Sequence, residues 1–392
     1  MRPLAIRALT AVSAMGHGAA AMFEALNQRR GGLTQGAFEG ITAGWTGRVA
    51  GVEAHALPPS LARYECRNNR LADLALRTDG FAAKVAEARA RLGADRIGVV
   101  VGTSTSGVGA LEDAYRAQEK GALPENFDYV HTHDLSSLAC YVSEALSLTG
   151  PALTVSAACA SSARCFIDAV HLIETGVCDA VVVGGADSLC RMTLRGFTSL
   201  SLVSPQACRP CDAARDGISV GEAAGFALLE RSRAGEPGLA LLGAGSSSDA
   251  HHMSSPHPEA LGAVLAMRAA LAGAGIGPEA IDYINLHGTG TRANDAMEDR
   301  AVMTVFGPDV PCGGTKGWTG HTMGSSGILE AVIAAVCIEH GLIPGCLGVA
   351  QVDPAFGARV VTVNESRPLR RVLSNSFGFG GINCSLVLGY PS

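Results

Sequence analysis

Aromatic residues are scarce in this chain, at 5%, and charged residues make up only 17%. A disordered chain would combine much charge with few hydrophobics. Here hydrophobic residues reach 47%, which excludes that class. The formal net charge is −6, so the chain has no general attraction to nucleic acid or anionic lipid. No run approaches the roughly 18 uncharged apolar residues of a membrane span. Near the N-terminus, Arg7 interrupts the apolar run that a signal peptide would need, and Gly16-His17-Gly18 follows it. A strand and turn are expected there instead. No short-period repeat is visible. The 12 cysteines follow no framework spacing. In a large apolar chain they read as free thiols of a reducing compartment, hence the cytoplasm. Cys208-Arg209-Pro210-Cys211 is the one CxxC, and no second CxxC accompanies it. Two loop cysteines are expected rather than a zinc site.

What the chain does have is 49 glycines and an alternation of apolar strand runs with helical periodicity. Strands are expected at 4–14, 97–101, 153–155, 180–183, 225–229, 239–243, 281–286, near 310, and at 360–363, 371–374 and 385–388. Helices are expected around 19–28, 60–92, from 109, and at 135–148, 163–173, 259–272, from 295 and 324–340. Residues 123–133 and 204–217 read as loops. Glu236-Pro237-Gly238 is the best boundary, dividing the chain into halves 1–235 and 236–392. The alternation predicts an α/β fold with reactive residues just past strand ends.

The stretch Thr154-Val155-Ser156-Ala157-Ala158-Cys159-Ala160-Ser161-Ser162-Ala163 stands out. It reads as the end of a buried strand, a turn of small residues around one cysteine, and a helix start. The helix N-terminus favours a thiolate, and small neighbours admit a substrate. A buried core cysteine is the competing reading, and the stretch alone does not decide between them. The loop Gly102-Thr103-Ser104-Thr105-Ser106-Gly107 lacks the lysine of a P-loop and does not fit GxGxxG, so it reads as a tight turn beside a pocket. Asp295 and Glu298 have capping-box spacing, which gives them a structural role.

Three further features lie in the second half. They are His287 in His287-Gly288-Thr289-Gly290-Thr291, Lys316 and His321 in the 316–327 run, and the glycine turn at 375–383. With Cys159 and in this order, the chain resembles the elongating β-ketoacyl-acyl-carrier-protein synthases, the condensing enzymes of fatty-acid and polyketide synthesis. The resemblance spans essentially the whole length and includes Arg209-Pro210-Cys211-Asp212, Arg215-Asp216-Gly217 and Gly221-Glu222-Ala223-Ala224-Gly225.

The resemblance implies the thiolase fold, two similar α/β halves in five α-β-α-β-α layers, normally dimeric. It implies that Cys159 accepts the acyl group and that His287 and His321 bind the malonyl thioester. Lys316 would orient His321, with Glu330 as its acidic partner. Thr289 and Thr291 would hold the phosphopantetheine arm that arrives on the carrier, and no metal or redox cofactor is implied. Phe379, between Gly378 and Gly380, would be a mobile aromatic of the substrate site. Thr105 would sit where acyl chains are limited or admitted. Arg63, Arg67 and Arg70 would receive the acidic carrier protein.

Some positions depart from the family pattern. Tyr64 and Asn68 stand where a lysine is usual, and Ser201 where many relatives keep an arginine. Thr105 replaces the bulky aliphatic or glycine of the housekeeping branches. The 103–107 loop looks closer to ketosynthases of aryl-polyene-type clusters, where an active subunit often pairs with an inactive chain-length partner. An initiating synthase would carry Asn in place of His321. A thiolase would carry a second catalytic cysteine in the last glycine turn, and Cys384 does not match it. A chain-length factor would lack Cys159.

Overall fold

The computed structural model describes residues 1–233 and 235–391. Ala234, in the first expected half, and Ser392, in the second, lie outside the described residues. Each half is built on a five-stranded sheet. The first comprises β1 (Leu4–Ser13), β2 (Ile97–Gly102), β3 (Ala152–Val155), β4 (Ala180–Asp187) and β5 (Ala223–Arg231), in spatial order 3-2-4-5-1. The second comprises β6 (Ala240–Ser248), β7 (Tyr283–Leu286), β8 (Pro311–Gly314), β9 (Arg371–Gly378) and β10 (Ile382–Gly389), in order 8-7-9-10-6. Relabelled from one to five, the second order is again 3-2-4-5-1. The directions match too. The second strand of each half pairs parallel with its third and fourth, and the fifth pairs antiparallel with the fourth and first. The halves are structural repeats, joined through Leu4↔Leu241 and Ala5↔Ala240.

Helices fill three layers. α1 (Gly18–Asn27), α5 (Ser161–Glu174) and α8 (Ser326–His340) share one core with the inner faces of both sheets. α2 (Arg67–Leu76), α3 (Phe81–Leu92) and α4 (Ser137–Leu146) cover the outer face of the first sheet. α6 (Leu261–Ala274) and α7 (Arg292–Phe306) cover the outer face of the second. This is the five-layered α-β-α-β-α stack of the thiolase fold.

Apart from the buried Glu330, α8 is apolar on every face up to Ile338, as an enclosed helix must be, and every residue from Ser326 to Ile338 is buried. Against the expectation that no run approaches a membrane span, Met323–His340, which includes the preceding turn, is long and apolar enough to cross one, but 89% of it is buried in this core. Gly341, at φ +62°, ends it as its position predicts. Gly327 lets α8 meet α5 backbone to backbone, since a Cβ there would lie 2.5 Å from Ala163 N.

Several local expectations change. Residues 60–92 form two α-helices after a 3₁₀ turn, and Tyr129–Thr132 is a short helix within the expected 123–133 loop. Leu33–Phe38 and Ile41–Gly47 pair as a hairpin that the sequence pattern did not indicate. Leu153–Val155 is not a buried strand. β3 is an edge strand, with no neighbour beyond it among the described residues, and Leu153 is 46% exposed. Its counterpart β8 is covered by Arg359–Val360. A short β-branched and apolar run such as Leu153-Thr154-Val155 signals a strand but not its place in the sheet.

Candidate active site

Cys159 sits in the turn between β3 and α5. Ala158 adopts φ +48°, and the turn is closed by Ala160 N donating to Ala157 O (3.1 Å) and Ser161 Oγ donating to Ala158 O (2.6 Å). The hairpin end of β9 lies against it. A Cβ on Gly378 would approach Ala157 O to 2.7 Å and Cys159 N to 3.4 Å, so only glycine lets that strand reach the nucleophile. Burial disfavours the expected thiolate. Burial pushes the Cys159 thiol up to about 11, against Lys316 and the backbone N–H groups of Phe379 and Cys159, which favour the anion. Desolvation outweighs the helix terminus. The same two N–H groups point at the reacting sulfur, where they can receive the oxyanion of acyl transfer.

His287 follows β7. Lys316, the first residue of the short helix Lys316–Thr319, places Nζ 3.2 Å from His287 Nδ1 and 2.5 Å from His287 O. Its third partner is Glu330 Oε1, at 2.5 Å on α8. The lysine therefore orients His287, a correction to the expected pairing with His321. All three side chains are buried, and burial pushes the Glu330 carboxyl up to about 7 against the pull of Lys316. His321 is fixed by other donors. Its Nδ1 accepts from Met323 N (3.1 Å) and lies 3.3 Å from Ser326 Oγ.

The consequence is a defined tautomer at both rings. With Nδ1 of each acting as acceptor, the proton resides on Nε2 and is available to donate. Burial, then the Lys316 charge, holds both imidazoles well below the ordinary histidine range. The ring centroids are 5.4 Å apart at 85°. Both rings line one cavity, so two neutral N–H donors are available there to a negative oxygen. ¹⁵N-histidine spectra at pH 6.5 are expected to show His287 and His321 as neutral Nε2–H tautomers. Imidazolium signals for either ring at that pH would contradict the geometry.

Asp295 and Glu298 do not form a capping box. The helix cap is Thr291, whose hydroxyl accepts from Asn294 N. Glu298 accepts from His287 N and Gly288 N, each at 2.8 Å, and from Asn375 Nδ2 at 3.0 Å. Asp295 accepts from Thr289 N (3.0 Å), Gly290 N (3.2 Å) and Cys211 N (2.9 Å). Both carboxylates hold the histidine loop from beneath. Burial raises both, Glu298 to about 7. Two acids one helical turn apart directly after that loop were the available signal, and their i, i+3 spacing pointed to a cap instead.

One cavity of about 520 Å³ joins these parts, a size suited to a small-molecule arm. Cys159, His287, Thr289, Thr291, His321, Gly378, Phe379 and Gly380 all line it. The Thr289 and Thr291 hydroxyls are 2.8 Å apart. Phe379 is part-exposed and meets Phe197 edge-on at 6.1 Å. Cys208, from the CxxC, is buried behind the wall with Sγ 3.2 Å from Thr289 O.

Thr105 is not among the lining residues; it is buried and donates to Asp187 Oδ1 at 2.8 Å. Nor do the three arginines form a free cluster. Arg63 pairs with Glu144 and Arg70 with Glu65. Arg67 makes a two-point bond to the buried Glu222, at 2.7 and 2.6 Å, which makes it a structural residue. The arginine that does line the cavity is Arg292.

Two family models match the chain, the N-terminal domain of beta-ketoacyl synthase over residues 49–234 and its C-terminal domain over residues 240–350. A mitochondrial 3-oxoacyl-[acyl-carrier-protein] synthase of Arabidopsis thaliana is 39% identical, over 63% of this chain and 58% of that protein. Nodulation protein E of Rhizobium meliloti is 36% identical, over 74% of this chain and 75% of its own length. Among solved structures, a ketosynthase in complex with its chain length factor from Xenorhabdus doucetiae superposes with a TM-score of 0.91 at 39% identity, covering 100% of this chain and 98% of that one. A ketosynthase/chain length factor for ishigamide gives 0.90 at 28% identity, with both chains fully covered. With most of its length matched by the two domain models and its site built from cysteine, two histidines and lysine, the chain belongs to the β-ketoacyl synthase family, condensing acyltransferases of the thiolase fold.

Proposed function

We propose that this chain carries out a decarboxylative Claisen condensation on carrier-bound thioesters. The observation that carries the reading is the convergence of Cys159 with the Nε2–H donors of His287 and His321 in one cavity. Cys159 attacks an acyl thioester. Its proton leaves with the carrier thiol, and the N–H groups of Cys159 and Phe379 hold the oxyanion. A malonyl thioester then enters along Thr289 and Thr291 and loses CO2. The charge left on its thioester oxygen is received by the two imidazoles. The enolate carbon attacks the acyl carbon, the Cys159–acyl bond breaks, and the sulfur is reprotonated from solvent. The product is a β-ketoacyl thioester, two carbons longer. The scheme runs without a metal or redox cofactor, in the cytoplasm, with phosphopantetheine supplied by an acyl carrier protein.

The partner subunit is proposed to be a chain-length-factor homologue rather than a second copy. The exposed edge of β3, next to Cys159, supports a partner that extends the sheet. A ketosynthase solved in complex with its chain length factor and the ishigamide ketosynthase/chain length factor, each aligned over this whole chain, favour the heterodimer. Co-expression with genomic neighbours is expected to yield a stable heterodimer containing a homologue without the cysteine, active on carrier-bound substrates. An active homodimer elongating saturated acyl chains would overturn the choice of partner. Loss of activity on carrier-bound substrates in both forms would overturn the reaction.

A further inference from the structure

Asp187 ends β4, the fourth strand of the first half, and is fully buried. Every hydrogen-bond partner of its carboxylate is a donor. Oδ1 accepts from Thr103 Oγ1 (2.7 Å), Thr105 Oγ1 (2.8 Å) and the Ser104 and Thr105 amides (both 3.0 Å). Oδ2 accepts from Ser104 Oγ (2.6 Å), Ser104 N (3.0 Å) and Gly324 N (2.6 Å). All but the last lie in the 103–105 loop after β2, the structural counterpart of the histidine loop after β7. Gly324 belongs to the other half, in the turn that carries His321.

That turn presents two consecutive amides. Met323 N donates to His321 Nδ1, and Gly324 N donates to Asp187. Met323 adopts φ +53°, so the turn is held in a conformation that side-chain-bearing residues rarely choose. The fit is close from the other side as well. A Cβ on Gly324 would lie 2.6 Å from Asp187 Oδ2 and 2.9 Å from Ser104 N.

We propose that Asp187 is a positioning residue for the condensation, locking the 103–105 loop of the first half to the His321 turn of the second. By fixing Gly324 N it fixes the preceding peptide, and thereby the donor that sets the His321 tautomer. An asparagine would offer one acceptor oxygen where the carboxylate offers two. Either the 103–105 loop or Gly324 then loses its acceptor and faces an NH₂ group. A buried donor left unpaired is costly, so the turn relaxes and Met323 N leaves Nδ1.

The proposal rests on the condensing reaction above, so the wild-type protein is first shown to load Cys159 from acyl-carrier and to release CO2 from malonyl-carrier. Absence of both would refute that reading and not this one. In Asp187→Asn, malonyl decarboxylation is expected to fall about 10²-fold, the scale on which small misplacements act. Cys159 loading should fall severalfold at most, with the loss in kcat rather than in KM for malonyl-carrier. In ¹⁵N spectra His321 should lose its single Nε2–H signature while His287 keeps its own. If Asp187→Asn does not fold, Gly324→Ala, which displaces the same carboxylate but also comes within 3.2 Å of Ser161 Cβ beside the Cys159 turn, carries the test through the His321 signature alone. Equal loss of both half-reactions in Asp187→Asn, or an unaltered His321 signature in the variant tested, overturns the proposal.

Discussion

Cys159→Ala protein incubated with an acyl-carrier thioester gains no mass, and its condensation falls to background. Deleting the nucleophile of a covalent mechanism costs about 10⁶ in turnover on the established scale. The structure adds a second expectation. The histidine pair, Lys316 and Glu330 all stand on the second half, where Lys316 holds His287 and Glu330 and Met323 N holds His321, through contacts that do not involve the thiol. Malonyl decarboxylation should therefore persist in Cys159→Ala, separated from carbon–carbon bond formation. The measurement pairs intact-protein mass spectrometry with CO2 release. A mass gain in the variant, or condensation at an appreciable fraction of the wild-type rate, would mean that another group carries the acyl chain.

His321→Asn reverses the pattern. The shorter amide cannot bring a donor to where the imidazole Nε2–H points, so one of the two groups facing the enolate oxygen is lost. Removing one such donor typically costs about 10²–10³ in rate. Decarboxylation is expected to fall by that factor, while Cys159 still loads, because acyl transfer uses the N–H groups of Cys159 and Phe379. The substitution leaves the Lys316–His287–Glu330 contacts untouched. Equal loss of loading and decarboxylation would contradict this division of labour.

The chemistry was more legible in the sequence than the contacts that organise it. Cys159, His287, Lys316, His321 and the glycine turn each follow a strand, and strand ends are where this fold gathers its reactive groups. Their residue types and order carried the resemblance to the condensing enzymes. What the sequence does not carry is which loop faces which. Lys316 stands five residues before His321, and the family resemblance implied that pairing. The start of the Lys316–Thr319 helix instead faces the end of β7, so the lysine meets His287. Arg67 reads as a surface charge until its partner Glu222, 155 residues away, is brought beneath it. Thr105 reads as a pocket residue until Asp187, 82 residues away, takes its hydroxyl. Long-range partners of buried charges leave no periodic trace, and the helix N-terminus that promised a thiolate said nothing of the burial that opposes it.

Apart from the two similar halves that the resemblance implied, the residues themselves showed the duplication only as alternation. Once the matching strand orders are seen, the site reads as a junction of equivalent loops. The nucleophile turn follows the third strand of one half, and Lys316 and His321 follow the third strand of the other. The repeat is also where the halves differ, since β8 is covered at its edge and, among the described residues, no strand pairs with the outer edge of β3 beside Cys159.

The most direct test is a single-turnover chase. Protein carrying an acyl group on Cys159 is freed of acyl-carrier and mixed with malonyl-carrier. The added mass should disappear from Cys159 as CO2 and a β-ketoacyl-carrier appear, each in a one-to-one ratio with the acyl group lost. Release of CO2 with the acyl group still on Cys159, or loss of that group as free acid, would contradict the coupling of the two halves' chemistry.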